Sequence, residues 1–200
     1  VVWAGSVIED IVEEVFNVPP PPPEIIYPHW PWAWDYPKEY VQKRLKEELD
    51  YSRKLGFEFD YYMLINHVPY RFKDAHPEYK YIDTPTVGQI DPADPRGREL
   101  SKKLYSCVIE KYGTDHMYGS GILGEMSPGD DPVQFKIDAA LQLTELLKEI
   151  DPALRHWRYD GGWTFIYNTG GIWNKETVKR LLDALPDEYI YLSDVTCDFQ

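Results

Sequence analysis

Three runs between residues 116 and 165 decide the fold: H-M-Y-G-S-G-I-L (116–123), D-P-V-Q-F-K-I-D-A-A-L-Q-L-T-E-L-L-K-E-I (131–150) and H-W-R-Y-D-G-G-W-T-F (156–165). The outer two runs are rich in aromatic and apolar residues, as strands are. The middle run repeats apolar residues at helical spacing, and the two Asp-Pro pairs at Asp131 and Asp151 bound it. A strand, a helix and a second strand in this order predict parallel strands joined by a right-handed crossover.

The same alternation extends over the whole chain. Further strands are predicted at Val1–Trp3, Phe57–Ile65 and Tyr189–Val195. Caps, prolines and apolar periodicity predict the remaining helices, which run from Ser6 to Phe16, from Pro37 to Leu55, from Pro95 to Gly113 and from Asn174 to Leu185. Residues 66–94 are predicted to form a long polar, proline-rich loop. Five strands separated by helices imply an α/β fold with a parallel sheet.

Two architectures have this pattern, the doubly wound sheet and the (β/α)8 TIM-type barrel. No G-x-G-x-x-G follows the first predicted strand, which disfavours the nucleotide-binding form of the doubly wound sheet. A complete barrel takes about 250 residues, and this chain has 200. We therefore expect a partial barrel of about five consecutive strands, with residues 1–200 in a single domain that has no internal boundary.

Composition excludes several classes of function. The chain has 21 basic and 34 acidic residues and a net charge of −13, so neither a nucleic-acid partner nor an anionic membrane surface is expected. No apolar run approaches the ~20 residues of a spanning helix, so membrane insertion is not expected. The histidines and the two cysteines lack the spacing of a metal or redox site, and we expect no cofactor.

Candidate functional residues follow the predicted strands, because a barrel carries its reacting groups in the loops after its strands. They are Trp3, Asn66, His67, Gly124, Glu125 and Trp163. Tryptophans and a carboxyl at one rim suit a glycosidase, in which rings stack on the sugar and a protonated carboxyl donates to the leaving oxygen. Glu125 is the sharpest candidate, although a glutamate at such a position is more often a solvated residue before a helix.

The segment Y-G-T-D-H-M-Y-G-S-G-I-L-G-E-M (112–126) resembles the α-N-acetylglucosaminidase family of glycoside hydrolases, in which F-G-T-D-H-I-Y-G precedes a strand ending in N-E-M. Four weaker matches occur in the same order as in the family. They are V-W-A-G (2–5) to A-W-x-G, N-H-V-P (66–69) to G-H-V-P, D-P-A-D-P (91–95) to P-E-D-P, and G-G-W (161–163) to Q-G-W. Together these matches span nearly the whole chain.

The resemblance implies a retaining hydrolase that acts on terminal α-linked N-acetylglucosamine and uses a (β/α)8 catalytic barrel. Glu125 falls on the family's general acid/base, and Trp163 on a tryptophan of the pocket wall. Gly124 replaces an asparagine that reaches the sugar near its 2-substituent, so the preferred sugar could differ. The family's nucleophilic glutamate lies beyond the position that matches Gln200. The same resemblance suggests a lysosomal or secreted protein.

Several of these residues are also explained by structural roles, without any part in catalysis or binding. His67 is as well explained as a hydrogen-bonded structural residue, and Asp194 and Asp198 suit a supporting role at the end of the last strand. Three functions remain open: a glycosidase with a carbohydrate substrate, a non-catalytic barrel that binds a glycan or a protein, and a structural assembly subunit. Since strand edges need partners, we also expect association with a further chain or subunit that completes the barrel.

Overall fold

The structure is a computed structural model that describes residues 11, 15–17, 38–63, 66–68, 72–82, 88–122, 129–160 and 171–193. Its helices are α1 (Lys38–Lys54), α2 (Phe72–Ala75), α3 (Pro95–Tyr112), α4 (Pro132–Ile150) and α5 (Lys175–Ala184). Its strands are β1 (Asp60–Tyr62), β2 (His67–Val68), β3 (Gly88–Gln89), β4 (Met117–Ser120), β5 (His156–Asp160) and β6 (Ile190–Ser193). None of the described helices is long and apolar enough to cross a membrane.

Local sequence chemistry sets where the longer helices begin. The side chain of Asp94 accepts a hydrogen bond from the backbone of Arg96 at the start of α3, and Asp131 caps α4 in the same way through the backbone of Gln134. Asn174 caps α5 and shares a reciprocal capping box with Thr177. These bonds satisfy amide groups that the first turn leaves without partners. The predicted starts of these three helices are therefore confirmed.

The chain divides into two compact units, residues 1–59 with 66–114 and residues 60–65 with 115–200. In the second unit, β1, β4, β5 and β6 form one parallel sheet in that order. Four of the five predicted strands are thus parallel neighbours in sequence order, and the first, at residues 1–3, lies outside the described residues. The expectation that residues 1–200 form a single domain stays a prediction.

Where the strand ends are described, two of the predicted strands are too long, and backbone conformation explains β4. His116 and Ile122 have positive φ angles of 63° and 31°, so both leave the extended region and bracket the strand. The prediction of 116–123 was therefore too long at both ends. The predicted start of the preceding strand at Phe57 was also wrong, since this residue is 63% exposed and β1 begins at Asp60.

The two faces of this sheet differ. On one face the Trp157 indole N–H donates to the Thr144 hydroxyl of α4 over 2.9 Å, and both side chains are buried. On the other face Arg158 of β5 bonds Asp60 of β1 over 2.8 Å. The pair passes Gly119 of β4, where an added Cβ would lie 2.9 Å from the Arg158 guanidinium. A side chain at this position would therefore displace the Arg158 guanidinium.

Part of the predicted loop at residues 66–94 is ordered, which corrects that prediction. β2 and β3 pair antiparallel in the first unit, with His67 opposite Gln89, and α2 lies between them along the chain. Phe72 opens α2 and is buried, edge-on to Phe16 at 5.3 Å and stacked on the His76 ring at 4.4 Å. Strands of two residues are too short to show a period, so the sequence pattern missed them.

Candidate functional site

The carboxyl ends of the four parallel strands share one edge of the sheet, because parallel strands run in the same direction. The described residues at this edge include Met63 after β1 and Ile122 after β4, and both are buried. The Met63 backbone N–H donates to the Gly119 carbonyl over 2.6 Å, which extends the β1–β4 ladder to the edge. In barrels and open α/β sheets, ligands bind outside this edge.

A buried ammonium group lies beside the end of β4. The Nζ atom of Lys136, on α4, donates to the Ile122 carbonyl over 3.4 Å, and the side chain is only 1% exposed. The Ile122 N–H reaches the Ser120 hydroxyl over 3.4 Å. Burial lowers the pKa of Lys136 to about 8, because desolvation disfavours the charged form. Lys136 is not among the residues predicted from sequence, although a lysine among the apolar residues of this helix is a visible signal.

Asn66 is the predicted site residue whose side chain the structure describes, and it belongs to the first unit. It is 2% exposed and adopts a left-handed conformation with φ 60°. Its backbone N–H donates to the Ser101 hydroxyl over 3.1 Å, and that hydroxyl donates to the Asn66 Oδ1 atom over 3.2 Å. The Nδ2 group is buried, and no residue of the described part accepts from it. Within the described part, both N–H donors of this amide are therefore unused.

The helix α3 packs closely against Asn66 because Gly97 has no side chain. A Cβ at Gly97 would lie 2.7 Å from Ile90 Cγ2 and 3.2 Å from Asn66 Oδ1. The Ile90 N–H in turn donates to the Asn66 carbonyl over 3.0 Å. The helix and the β2–β3 pair thus hold the residue before His67 from two sides.

The D-P-A-D-P motif at residues 91–95 has a structural role. Asp94 caps α3 and accepts from the Lys80 backbone N–H over 2.8 Å and from the Arg96 guanidinium over 2.9 and 2.6 Å. These bonds hold the pKa of the Asp94 carboxyl well below its usual range, with the Arg96 hydrogen bond as the largest cause. The Arg96 guanidinium also lies 4.8 Å from the centre of the Tyr79 ring.

The other predicted site residues remain predictions. His67 begins β2, but its side chain lies outside the described residues, as do Trp3, Gly124, Glu125 and Trp163 in full. The side chain of Asp160 and the whole of Asp194 and Asp198 lie outside as well. Convergence of these side chains on one rim therefore stays a prediction. Within the described part, no three metal-ligating side chains come together.

Comparisons with known proteins identify a family. The model described as the α-N-acetylglucosaminidase (NAGLU) tim-barrel domain matches residues 29–200. A curated relative, α-N-acetylglucosaminidase from Homo sapiens, is 22% identical over 180 residues, which cover 85% of this chain. The chain spans 23% of the length of that relative.

Proposed function

This chain belongs to the α-N-acetylglucosaminidase tim-barrel family, and from that premise we propose that it forms about five consecutive strands of the catalytic (β/α)8 barrel of a retaining glycoside hydrolase. Its substrate is a carbohydrate with a terminal α-linked N-acetylglucosamine or a related sugar. The curated human relative carries the corresponding activity in its name.

The observation that carries this proposal is the parallel order of the strands. β4 and β5 are direct neighbours, and both run towards the same edge. Glu125 follows the end of β4 by five positions, and Trp163 follows the end of β5 by three. Loops that leave adjacent parallel strands start side by side, which supports a shared site.

Each residue has a proposed role. Glu125 is the general acid/base, which protonates the glycosidic oxygen and later activates water. Trp163 and Trp3 form apolar walls for the sugar ring, and His67 and Asn66 donate hydrogen bonds to its hydroxyls. Gly124 leaves room beside the 2-substituent, where the family has an asparagine. A second carboxylate, outside this chain, is the nucleophile.

Glu125→Gln in the native full-length protein tests the proposal on an aryl α-N-acetylglucosaminide. We expect kcat to fall by about 10²–10⁴-fold, the usual contribution of general acid–base catalysis. The loss should be smaller with a nitrophenyl leaving group than with an alkyl one, because a good leaving group needs less protonation. Glu110→Gln, an exposed residue of α3, is the matched control and should keep wild-type kinetics.

Two results would contradict the proposal. Unchanged turnover in Glu125→Gln would remove the acid assignment. An inactive wild-type protein that still binds N-acetylglucosamine, measured by calorimetry, would instead favour the non-catalytic glycan-binding function that the replacement at Gly124 makes reasonable.

A further inference from the structure

The face of the parallel sheet opposite α4 carries polar side chains. The register pairs Gly119 of β4 with Tyr62 of β1 and with Arg158 of β5, and residues paired in this way lie on the same face. Asp60 shares this face with Tyr62, because alternate residues of a strand point the same way. In a (β/α)8 barrel the helices lie outside the strands, so in this family the face opposite a helix lines the interior.

Charged groups on this face are unusual for a barrel interior, which layers of branched apolar side chains normally fill. Arg158 bonds Asp60 over 2.8 Å, and the two side chains are only 15% and 31% exposed. Withdrawing charges from water costs free energy, and an ion pair seldom returns more than that cost. Residues that break a packing rule are typical of functional sites. The polar character of this face therefore points to ligand binding.

Tyr62 lies at the carboxyl edge of this face, because it is the last residue of β1. Its hydroxyl lies above Gly121, which directly follows β4, and a Cβ added at Gly121 would collide with the phenol oxygen. A Cβ added at Gly119 would instead meet the Arg158 guanidinium. Each of these glycines thus leaves room for a side chain from a neighbouring strand, and the space nearer the edge holds the tyrosine.

We propose that Tyr62 is a substrate-binding residue, which lies at the floor of the sugar site and bonds a hydroxyl group of the bound ring. This inference rests on the proposed function for the identity of the ligand, whereas the position of the phenol above Gly121 does not. Tyrosine suits this task, because its ring offers apolar surface to the C–H groups of a sugar and its hydroxyl both donates and accepts. Ligands of barrels and open α/β sheets bind at the edge where Tyr62 ends its strand.

A double-mutant cycle tests the position of the hydroxyl without any activity. The methyl group that Gly121→Ala adds would collide with the Tyr62 hydroxyl, so we expect a lower thermal midpoint. In Tyr62→Phe that hydroxyl is absent, so the same Gly121→Ala change should lower the midpoint by about half as much or less. An equal loss in both backgrounds would mean that the hydroxyl does not lie above Gly121, and the proposal would be overturned.

Calorimetry with N-acetylglucosamine on the full-length protein tests the binding role. We expect Tyr62→Phe to weaken binding about tenfold, because one hydrogen bond to the sugar is lost. Tyr61→Phe is the matched control. Tyr61 precedes Tyr62 on the same strand but pairs with Tyr118 on the face towards α4, so its loss should leave the Kd within about twofold of the wild type.

The kinetic signature of Tyr62→Phe should differ from that of Glu125→Gln. A bond present in both the bound substrate and the transition state affects KM, so we expect KM to rise about tenfold while kcat stays within about threefold. An unchanged Kd and KM in Tyr62→Phe, with an active wild type, would refute the sugar contact and leave the proposed function standing. A wild type that neither binds the sugar nor hydrolyses the aryl substrate would overturn the proposed function, and the sugar contact with it.

Discussion

Asp94 and Lys136 are both buried, but the protein favours the charged form of Asp94 and disfavours the charged form of Lys136. Asp94 accepts bonds from two backbone amides and from the Arg96 guanidinium, so its charged form is favoured. Burial lowers the pKa of Lys136, because desolvation disfavours its charged form. A charge that is well bonded supports the local structure, whereas the desolvation of a buried charge lowers the free energy of unfolding.

The Asp94 carboxylate predicts an acid-sensitive element of stability. Its folded-state pKa lies well below its usual value, so its contribution is fully present above about pH 4 and is lost as the pH falls through the folded-state pKa. We expect Asp94→Asn to lower the free energy of unfolding by about 1–3 kcal/mol at pH 7, because the amide still caps the helix but loses the charge-assisted bonds to Arg96. The difference from the wild type should shrink towards pH 2. Urea unfolding at several pH values measures it.

Asp131→Asn is the matched control, because Asp131 also caps a helix directly before a proline. Asp131 is exposed, and its Arg180 partner is solvated. A solvated surface pair of this kind contributes little to stability. A pH dependence as strong in Asp131→Asn as in Asp94→Asn would show that capping alone, without burial, explains the effect.

At the scale of elements, the amino end of the sheet is held by a buried carboxylate. Asp151, directly after α4, accepts from the Tyr118 hydroxyl of β4 over 2.6 Å, and the His116 Nδ1 atom lies 2.8 Å away. The Asp151 N–H also bonds the Leu147 carbonyl at the end of the helix. One residue thus connects the end of α4 to the start of β4, at the edge opposite the proposed site.

Tyr118→Phe should affect stability without affecting catalysis, because the tyrosine bonds at the edge of the sheet opposite the proposed site. The change removes one hydrogen bond from a buried carboxylate, and we expect a loss of about 1–3 kcal/mol in the free energy of unfolding. The kcat/KM of the full-length protein should stay within about twofold of the wild type at a temperature where both are folded, because barrel chemistry uses the carboxyl ends. Tyr51→Phe, at a tyrosine that is 64% exposed, should change neither quantity. A kinetic defect in Tyr118→Phe without a stability defect would contradict this division.

The order and direction of the elements could be predicted from the sequence better than their ends. Asp-Pro pairs and Asn174 located the helix starts because a cap is a short-range signal within one turn. Strand ends were overestimated because the apolar run continues through Ile122, where the backbone has already left the extended region. The pattern of apolar residues indicates which positions are buried, but it does not indicate the backbone φ angle.

The site was less accessible to prediction than the fold. Asn66 was singled out from the N-H-V-P motif, but its bonds to Ser101 join residues 35 positions apart, and no local pattern carries such a contact. The roles of Glu125, Trp163, Trp3, Gly124 and His67 stay predictions. Lys136 was not predicted, because a helical pattern is recognised from its apolar residues and a lysine among them does not change the pattern.

At the scale of the whole molecule, the parallel sheet has two outer strands that would need neighbours in a closed barrel. Among the described residues β1 and β6 are the outer strands of the parallel sheet, and each has one neighbour. The family is a tim-barrel family, and in a closed barrel every strand has two neighbours. An outer strand with unpaired N–H and C=O groups invites association.

Closure leads to the last prediction, which is that residues 1–200 alone do not hydrolyse glycosides while the full-length protein does. A retaining mechanism needs two carboxyls about 5–5.5 Å apart. In the proposed mechanism Glu125 supplies one, and the family resemblance places the other beyond the position of Gln200. The 200-residue chain and the longer native protein are assayed side by side on the aryl substrate, and sedimentation reports whether the shorter chain associates. Turnover by the short chain that Glu125→Gln abolishes would mean that Asp160, Asp194 or Asp198 is the second carboxylate, and the assignment of the nucleophile to another part of the protein would be wrong.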